Sequence, residues 1–355
     1  MFKAIGRAIA SAIALVLTGV MVACAVYAPG FVFSFYPALS RRAVAAIAAV
    51  TGVFPFPVFE VLIVLAVLWA VYTLVRVIVQ KHGLVRWLSG LLLAVSIGIF
   101  LFVGLWGLNH FGPTLGEKLG LEVREYSVEE LKEAAYYYKD RAAALAEQLP
   151  VNDDGTTKLS GFSALAKSAN DGYAVLAQRY EVFSGSFAPV KRLLGGRIFS
   201  YMGTTGIFVC LTGESCVNPE TFPSSLPQTM CHEIGHRMGC AAEDEANFCG
   251  FLACAANPSV EFQYSGYYSA FIHCYNALYD VDRDAAQALW DAAGTRLQTD
   301  IRAAGAHYQQ FEGKVQTAAQ AVNDAYLKTF SEELGVQSYG AVTDYLLAWY
   351  FAGNA

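Results

Sequence analysis

Three long apolar stretches, residues 8–28, 57–79 and 88–108, constrain this chain more than any other feature. Each exceeds the roughly 20 residues needed to cross a hydrocarbon core as a helix, and a helix is the one isolated segment that satisfies its own backbone hydrogen bonds there. The first stretch also fits a secretory signal, because Lys3 and Arg7 precede it and small residues follow near Ala23. Its length and the two spans behind it favour an uncleaved crossing. Residues 29–56 are apolar but interrupted by Arg41, Arg42 and three prolines, which suits an interfacial or re-entrant segment with a short helix at 40–53.

Charge divides the chain at the same boundary. Residues 1–112 hold seven basic residues and one acid, Glu60, a net of +6; the whole 355-residue chain carries −6, so residues 113–355 carry −12. The expected organisation is a membrane anchor over 1–112, followed by an acidic domain over 113–355 that is long enough for its own core. No basic patch or aromatic-plus-arginine run supports nucleic-acid binding. The N-terminus and the loop after the second span hold five Lys and Arg residues, and the other loop holds two. This bias places the N-terminus in the cytoplasm and the domain outside it. Trp106 and His110, just past the third span, fit an interface belt. A transporter or channel is disfavoured, since no span has an acid or base at its centre and Glu60 lies near an end.

Beyond residue 112 the pattern is mainly helical. Ser127-x-x-Glu130 is a capping box opening a helix to about Leu149, residues 152–155 form a loop, and a second helix is expected over 160–183. Residues 195–217 change to β-branched and aromatic texture between glycines, which predicts a hairpin with strands at 197–202 and 206–211. Helix resumes after Pro223, with breaks near 257–258, Gly305 and Gly335.

The segment that carries chemistry is Cys231-His-Glu-Ile-Gly-His-Arg-Met-Gly-Cys-Ala-Ala-Glu-Asp-Glu-Ala-Asn247. His232 and His236 are four apart and share one helix face, so their imidazoles can reach one metal ion; two such histidines need not bind anything, but Glu233 lies beside them as a candidate general base. Gly239 is a helix stop, and a second helix from Glu243 places Glu243 and Asn247 on one face. Glu243 is then the expected third ligand to zinc, with water left the fourth position, and Asn247 accepts the second ring N–H of a ligand histidine. Glu245 is the competing ligand; it points about 200 degrees away from Glu243 on a helix and is expected to be solvated or behind the ligands.

Other features surround this segment. Gly206, Ile207, Phe208 and Val209 are a candidate edge strand for an extended peptide. Tyr264, Tyr267, Tyr268 and His273 are candidates for stabilising an oxyanion, although aromatics at helical spacing are commonly core. Seven of the eight cysteines fall between 210 and 274; Cys210 and Cys216 are placed to bridge a turn, and no Cys-x-x-Cys pair supports a structural zinc built from thiolates.

His232-Glu-Ile-Gly-His236 with Glu243-x-x-Ala-Asn247-Phe resembles the gluzincin pattern, and its Glu-x-x-Ala-Asn element is similar to that of the ImmA/IrrE peptidases. Over most of its length the chain resembles a family of bacterial membrane proteins of unknown function, domain-of-unknown-function family 3810. The matching features are the three spans, Trp106-Gly-Leu-Asn109, Thr205-Gly-Ile-Phe208, Cys231-His-Glu-Ile-Gly-His236, Glu243-Asp-Glu-Ala-Asn-Phe248, Tyr264-Ser-Gly-Tyr267 and Val336-Gln-Ser-Tyr-Gly340. The resemblance implies a zincin-like, membrane-anchored zinc peptidase domain in the bacterial cytoplasmic membrane, with zinc on His232, His236 and Glu243. Many gluzincins have Asp where this chain has Asn247, so the histidine partner here is neutral. The expected function is hydrolysis of a protein or peptide substrate outside the cytoplasm; the alternative is a non-catalytic membrane sensor or assembly factor on the same fold.

Overall fold

The computed structural model describes residues 2–81, 83–185, 187–329 and 338–354. Three helices are long and apolar enough to cross a membrane: α1 (Phe2–Tyr27), α3 (Val58–Gln80) and α4 (Leu84–Leu105). Between α1 and α3 lies α2 (Tyr36–Thr51), 16 residues long and so shorter than the roughly 20 a crossing needs, separated from α1 by a segment that begins at Pro29. At 23 residues α3 is about 35 Å long, enough for a hydrocarbon core of about 30 Å. Its apolar side chains are exposed around the whole circumference, which only an apolar solvent tolerates. Lys3, Lys81 and Arg86 line one groove, so the start of α1 lies at the α3–α4 turn.

The third span ends at Leu105 rather than at 108, and a 3-10 turn covers Gly107–Phe111. Helix α2 begins four residues earlier than expected and packs on the end of α4, where Tyr36 donates to Val103 O and Ser40 to Leu105 O.

The rest of the chain is helical with one small sheet. Helix α5 (Val128–Ala146) starts at the capping box read from the sequence, with Ser127 Oγ accepting from Glu130 N and the Glu130 carboxylate accepting from Ser127 N. The helix expected over 160–183 is instead three pieces, Phe162–Ser168, Asp171–Leu176 and Glu181–Phe183. Within the second piece, Gly172 lies so close to the backbone of Ala253 that no side chain fits.

The sheet runs in the order β1 (Lys191–Arg192), β3 (Glu214–Val217), β2 (Gly206–Val209), with β1 parallel and β2 antiparallel to β3. The strand expected at 197–202 is a short helix, α6 (Gly196–Tyr201). Strand β2 pairs with β3 instead of with that segment, which satisfies its backbone locally as a helical turn.

Helices α7 (Leu226–Met238), α8 (Glu243–Ala256) and α9 (Val260–Val281) form the centre, and α5 and the helix Ser338–Trp349 close over them. Tyr138, Phe248, Phe251, Phe262 and Phe271 fill the core between them. Gly305 does not break the chain: the helix Gly294–Gln309 runs through it, and nothing lies near its Cβ position, so the exposed glycine costs only about 1 kcal/mol. Gly335 and the motif residues Val336 and Gln337 lie outside the described residues.

Candidate metal centre

Helix α7 has a proline in its first turn and stops at Gly239, which adopts φ +99. After three linking residues α8 opens with Glu243, Asp244 and Glu245 in its first turn, where negative charge is favoured by the helix dipole. The tight link folds α8 back on α7 and brings Glu243 to the two histidines. Glu243 Oε2 is 3.3 Å from His232 Nε2 and 3.8 Å from His236 Nε2, and the three donor atoms lie within 4.8 Å of one another. Among the described residues this is the group of His, Cys, Asp or Glu side chains placed to hold a metal ion. Donors of a tetrahedral zinc site are separated by about 3.3 Å, so small rotations suffice.

The outer ring nitrogens decide which lone pairs face inward. His236 Nδ1 is 2.8 Å from Cys240 O, a carbonyl that can only accept, so this nitrogen carries the proton and Nε2 is left as donor to a cation. His232 Nδ1 is 3.0 Å from Asn247 Oδ1, the partner expected from the spacing. Burial alone would push the Glu243 carboxyl up, but hydrogen bonds and charge from both histidines hold it well below the usual range. Burial alone would lower His236, and Glu243 and Glu233 overrule it, raising it to about 9. A buried carboxylate facing two imidazoles thus draws positive charge into the space between them, and a divalent cation supplies it as well as protons do.

Glu233 is 4% exposed, its Oε2 has no hydrogen-bond partner, and burial pushes it up to about 7 against the opposing pull of His232 and His236. Beside it is Gly206 at the start of β2, where any Cβ would collide with the Glu233 carboxylate. Strand β2 pairs on one side with β3 and with no described strand on the other. Gly206, Ile207, Phe208 and Val209 therefore form an edge strand next to the candidate base.

Other sequence candidates lie elsewhere. Glu245 accepts from Leu115 N at 2.5 Å and from Tyr345 Oη at 3.4 Å, facing away from the histidines as the helical angle requires. Tyr264 is core and bonds the buried Asp300. Tyr267 packs among Tyr137, Tyr138 and Phe251, and Tyr268 lies against Tyr264. Burial, then the charge of His232, lowers His273 to about 4. Cys210 and Cys216 form no bridge, and all the cysteines are free thiols; the thiols of Cys240 and Cys249 are 2.8 Å apart.

Spacing gave no access to one contributor. Trp106 is 5% exposed, not part of an interface belt; its Nε1 donates to His236 O at 2.8 Å and its ring stands edge-on to the His236 ring at 5.9 Å. It also touches Phe208 of β2 at 5.6 Å. Its number places it 130 residues from His236, and no short-range pattern links the two.

No curated protein and no solved structure matches this chain. A family model described as "Protein of unknown function (DUF3810)" matches residues 32–347, and the chain belongs to that family.

Proposed function

We propose that the chain is a membrane-anchored, metal-dependent peptidase that hydrolyses peptide bonds, with His232, His236 and Glu243 holding zinc and Glu233 as general base. The donor set of two neutral imidazoles and one carboxylate is the chemistry of a catalytic zinc site with an open position. Zinc, when bound, lowers the pKa of a water and polarises the scissile carbonyl. The observation that carries the reading is the buried Glu233 carboxylate, its Oε2 without a hydrogen-bond partner, beside Gly206 of the edge strand and next in sequence to His232. Held near neutrality by burial, Glu233 takes a proton from the attacking water and returns it to the leaving amine. Strand β2 binds the extended substrate through backbone hydrogen bonds, and His273, whose charge is opposed by that of His232, is a candidate to stabilise the oxyanion. The balance is one water added across the C–N bond, giving a carboxylate and an amine.

By the charge bias of its loops the chain sits in the bacterial cytoplasmic membrane with its active centre outside. The test is the full chain in detergent or nanodiscs with zinc and a degenerate peptide pool. Glu233→Gln should retain one zinc per chain and lose at least a hundredfold in turnover; equal product patterns from both proteins would sink the mechanism. The bond from Trp106 at the end of α4 to His236 O favours a second reading, a membrane sensor whose metal occupancy is felt by the span. That reading expects bound metal, no Glu233-dependent product, and a partner complex altered by Glu233→Gln.

A further inference from the structure

Four hydrogen-bonded seats fix the centre against the ends of the spans. The first is Trp106, the residue after α4, on His236 and Phe208. The second is the β2–β3 turn on α2: Thr51 Oγ1 donates to Thr212 O at 2.8 Å, and Gly213 sits where a Cβ would lie 2.8 Å from Ala48 N. In the third, both oxygens of Glu214 accept from Val58 N and Phe59 N and so cap the start of α3, while Lys191 Nζ joins Glu214 Oε1 to Thr51 O and Phe56 O. The last is Glu60, in the first turn of α3, whose carboxylate accepts from Leu194 N and Gly195 N.

All four lie at the same end of the membrane helices, the end of α4 and the start of α3. Depth follows from this. The His236 ring is 5.9 Å from an indole that directly follows a 22-residue apolar helix, and the headgroup layer is about 5–8 Å deep on each side. The centre is therefore at headgroup level, not out in bulk water.

The segment before β2 is apolar and exposed at the same level. Leu194 and Ile198 are 66% and 69% exposed, with Met202 beside them, on and around α6. This segment is tied to the first turn of α3 through Glu60 and leads directly into β2. Exposed aliphatic side chains beside the start of a span are stable in the bilayer interface and unfavourable in water.

We propose that the substrate is a membrane-anchored polypeptide, cut in the stretch that leaves the bilayer. This rests on the peptidase reading above. A chain emerging from lipid beside α3 passes the Leu194–Ile198 segment and reaches the free edge of β2 within its first few residues. A soluble folded protein has to push its own surface into the headgroups to present a bond there. At about 3.3 Å per extended residue, a centre inside a headgroup layer about 5–8 Å deep is reached in roughly two to three residues, which places the cut within about five residues of the anchor.

The test uses the full chain in lipid nanodiscs with zinc and one degenerate dodecapeptide library in three forms: free, fused directly to an apolar transmembrane helix, and fused to the same helix through a folded spacer domain about 30 Å across. The spacer form keeps the library on the membrane but lifts it off the surface, so it controls for local concentration. Products are read by mass spectrometry against Glu233→Gln. The expected result is cleavage of the directly anchored library at least tenfold faster than the lifted one, with cuts within about five residues of the helix. Glu233-dependent cleavage at equal rates in the direct and lifted forms overturns the juxtamembrane substrate and leaves the peptidase standing. No Glu233-dependent cleavage in any form overturns both.

Discussion

Gly206 lacks a side chain where Glu233 needs the space. Any Cβ at this position meets the carboxylate, which is itself buried and unable to retreat into water. Gly206→Ala should therefore push Glu233 off its position while the three donors, on α7 and α8, stay in place. The expected outcome is at least a tenfold loss of turnover with zinc stoichiometry unchanged, measured by peptide cleavage and elemental analysis; loss of metal instead would mean that β2 supports the donors themselves. At this scale the sequence was informative where chemistry is local. His232 with His236, and Glu243 with Asn247, meet because four residues make about one helical turn, and the carboxylate and carboxamide of α8 face α7 as that period requires. Tyr264, Tyr267 and Tyr268 fit the same period equally well, yet they are turned into the core, because helical spacing defines a face without saying what the face meets.

Elements are positioned by polar contacts between parts distant in sequence. The Lys191–Glu214 pair is nearly inaccessible, with side chains 5% and 1% exposed, and it gathers backbone groups from α2, the start of α3 and the loop between them. A buried pair broken by removal of one partner leaves the other charge stranded. Lys191→Met should cost about 3–5 kcal/mol, read as a fall of roughly 10 °C in Tm; a neutral effect would show that Glu214 finds other compensation. Trp106 is a second joint. Trp106→Phe keeps most of the packing and removes the N–H donor, and His236 O still accepts from Gly239 N, so the expected cost is about 1 kcal/mol. Trp106→Ala also opens a cavity and should cost about 3–5 kcal/mol. Thermal unfolding of the two variants separates the bond from the packing, and equal losses would assign the whole effect to the bond.

For the whole molecule, the anchor and the helical part share these joints. A fragment of residues 113–355 is long enough for a core by count, but it leaves Lys191 and Glu214 without their partners on residues 51–59 and strips the indole from His236 O. The expected outcome is a fragment that unfolds at least 10 °C below the full chain or aggregates, measured by thermal scanning of both in the same detergent; equal Tm values would mean that the seats only orient the centre.

The sequence by itself determined the three apolar helices, the mainly helical remainder, the capped start of α5, and the sharing of one helix face by His232 with His236 and by Glu243 with Asn247. Each of these is set by a local period or by the length of an apolar run. It did not determine that residues 196–201 are helical, that the segment 160–183 divides into three pieces, or that Gly305 does not break its helix, since those depend on which backbone lies opposite. Only the tertiary structure decided where the centre stands relative to the membrane helices. That position comes from hydrogen bonds spanning more than a hundred residues, such as Trp106 to His236 and Glu214 to the start of α3, which no short-range pattern encodes.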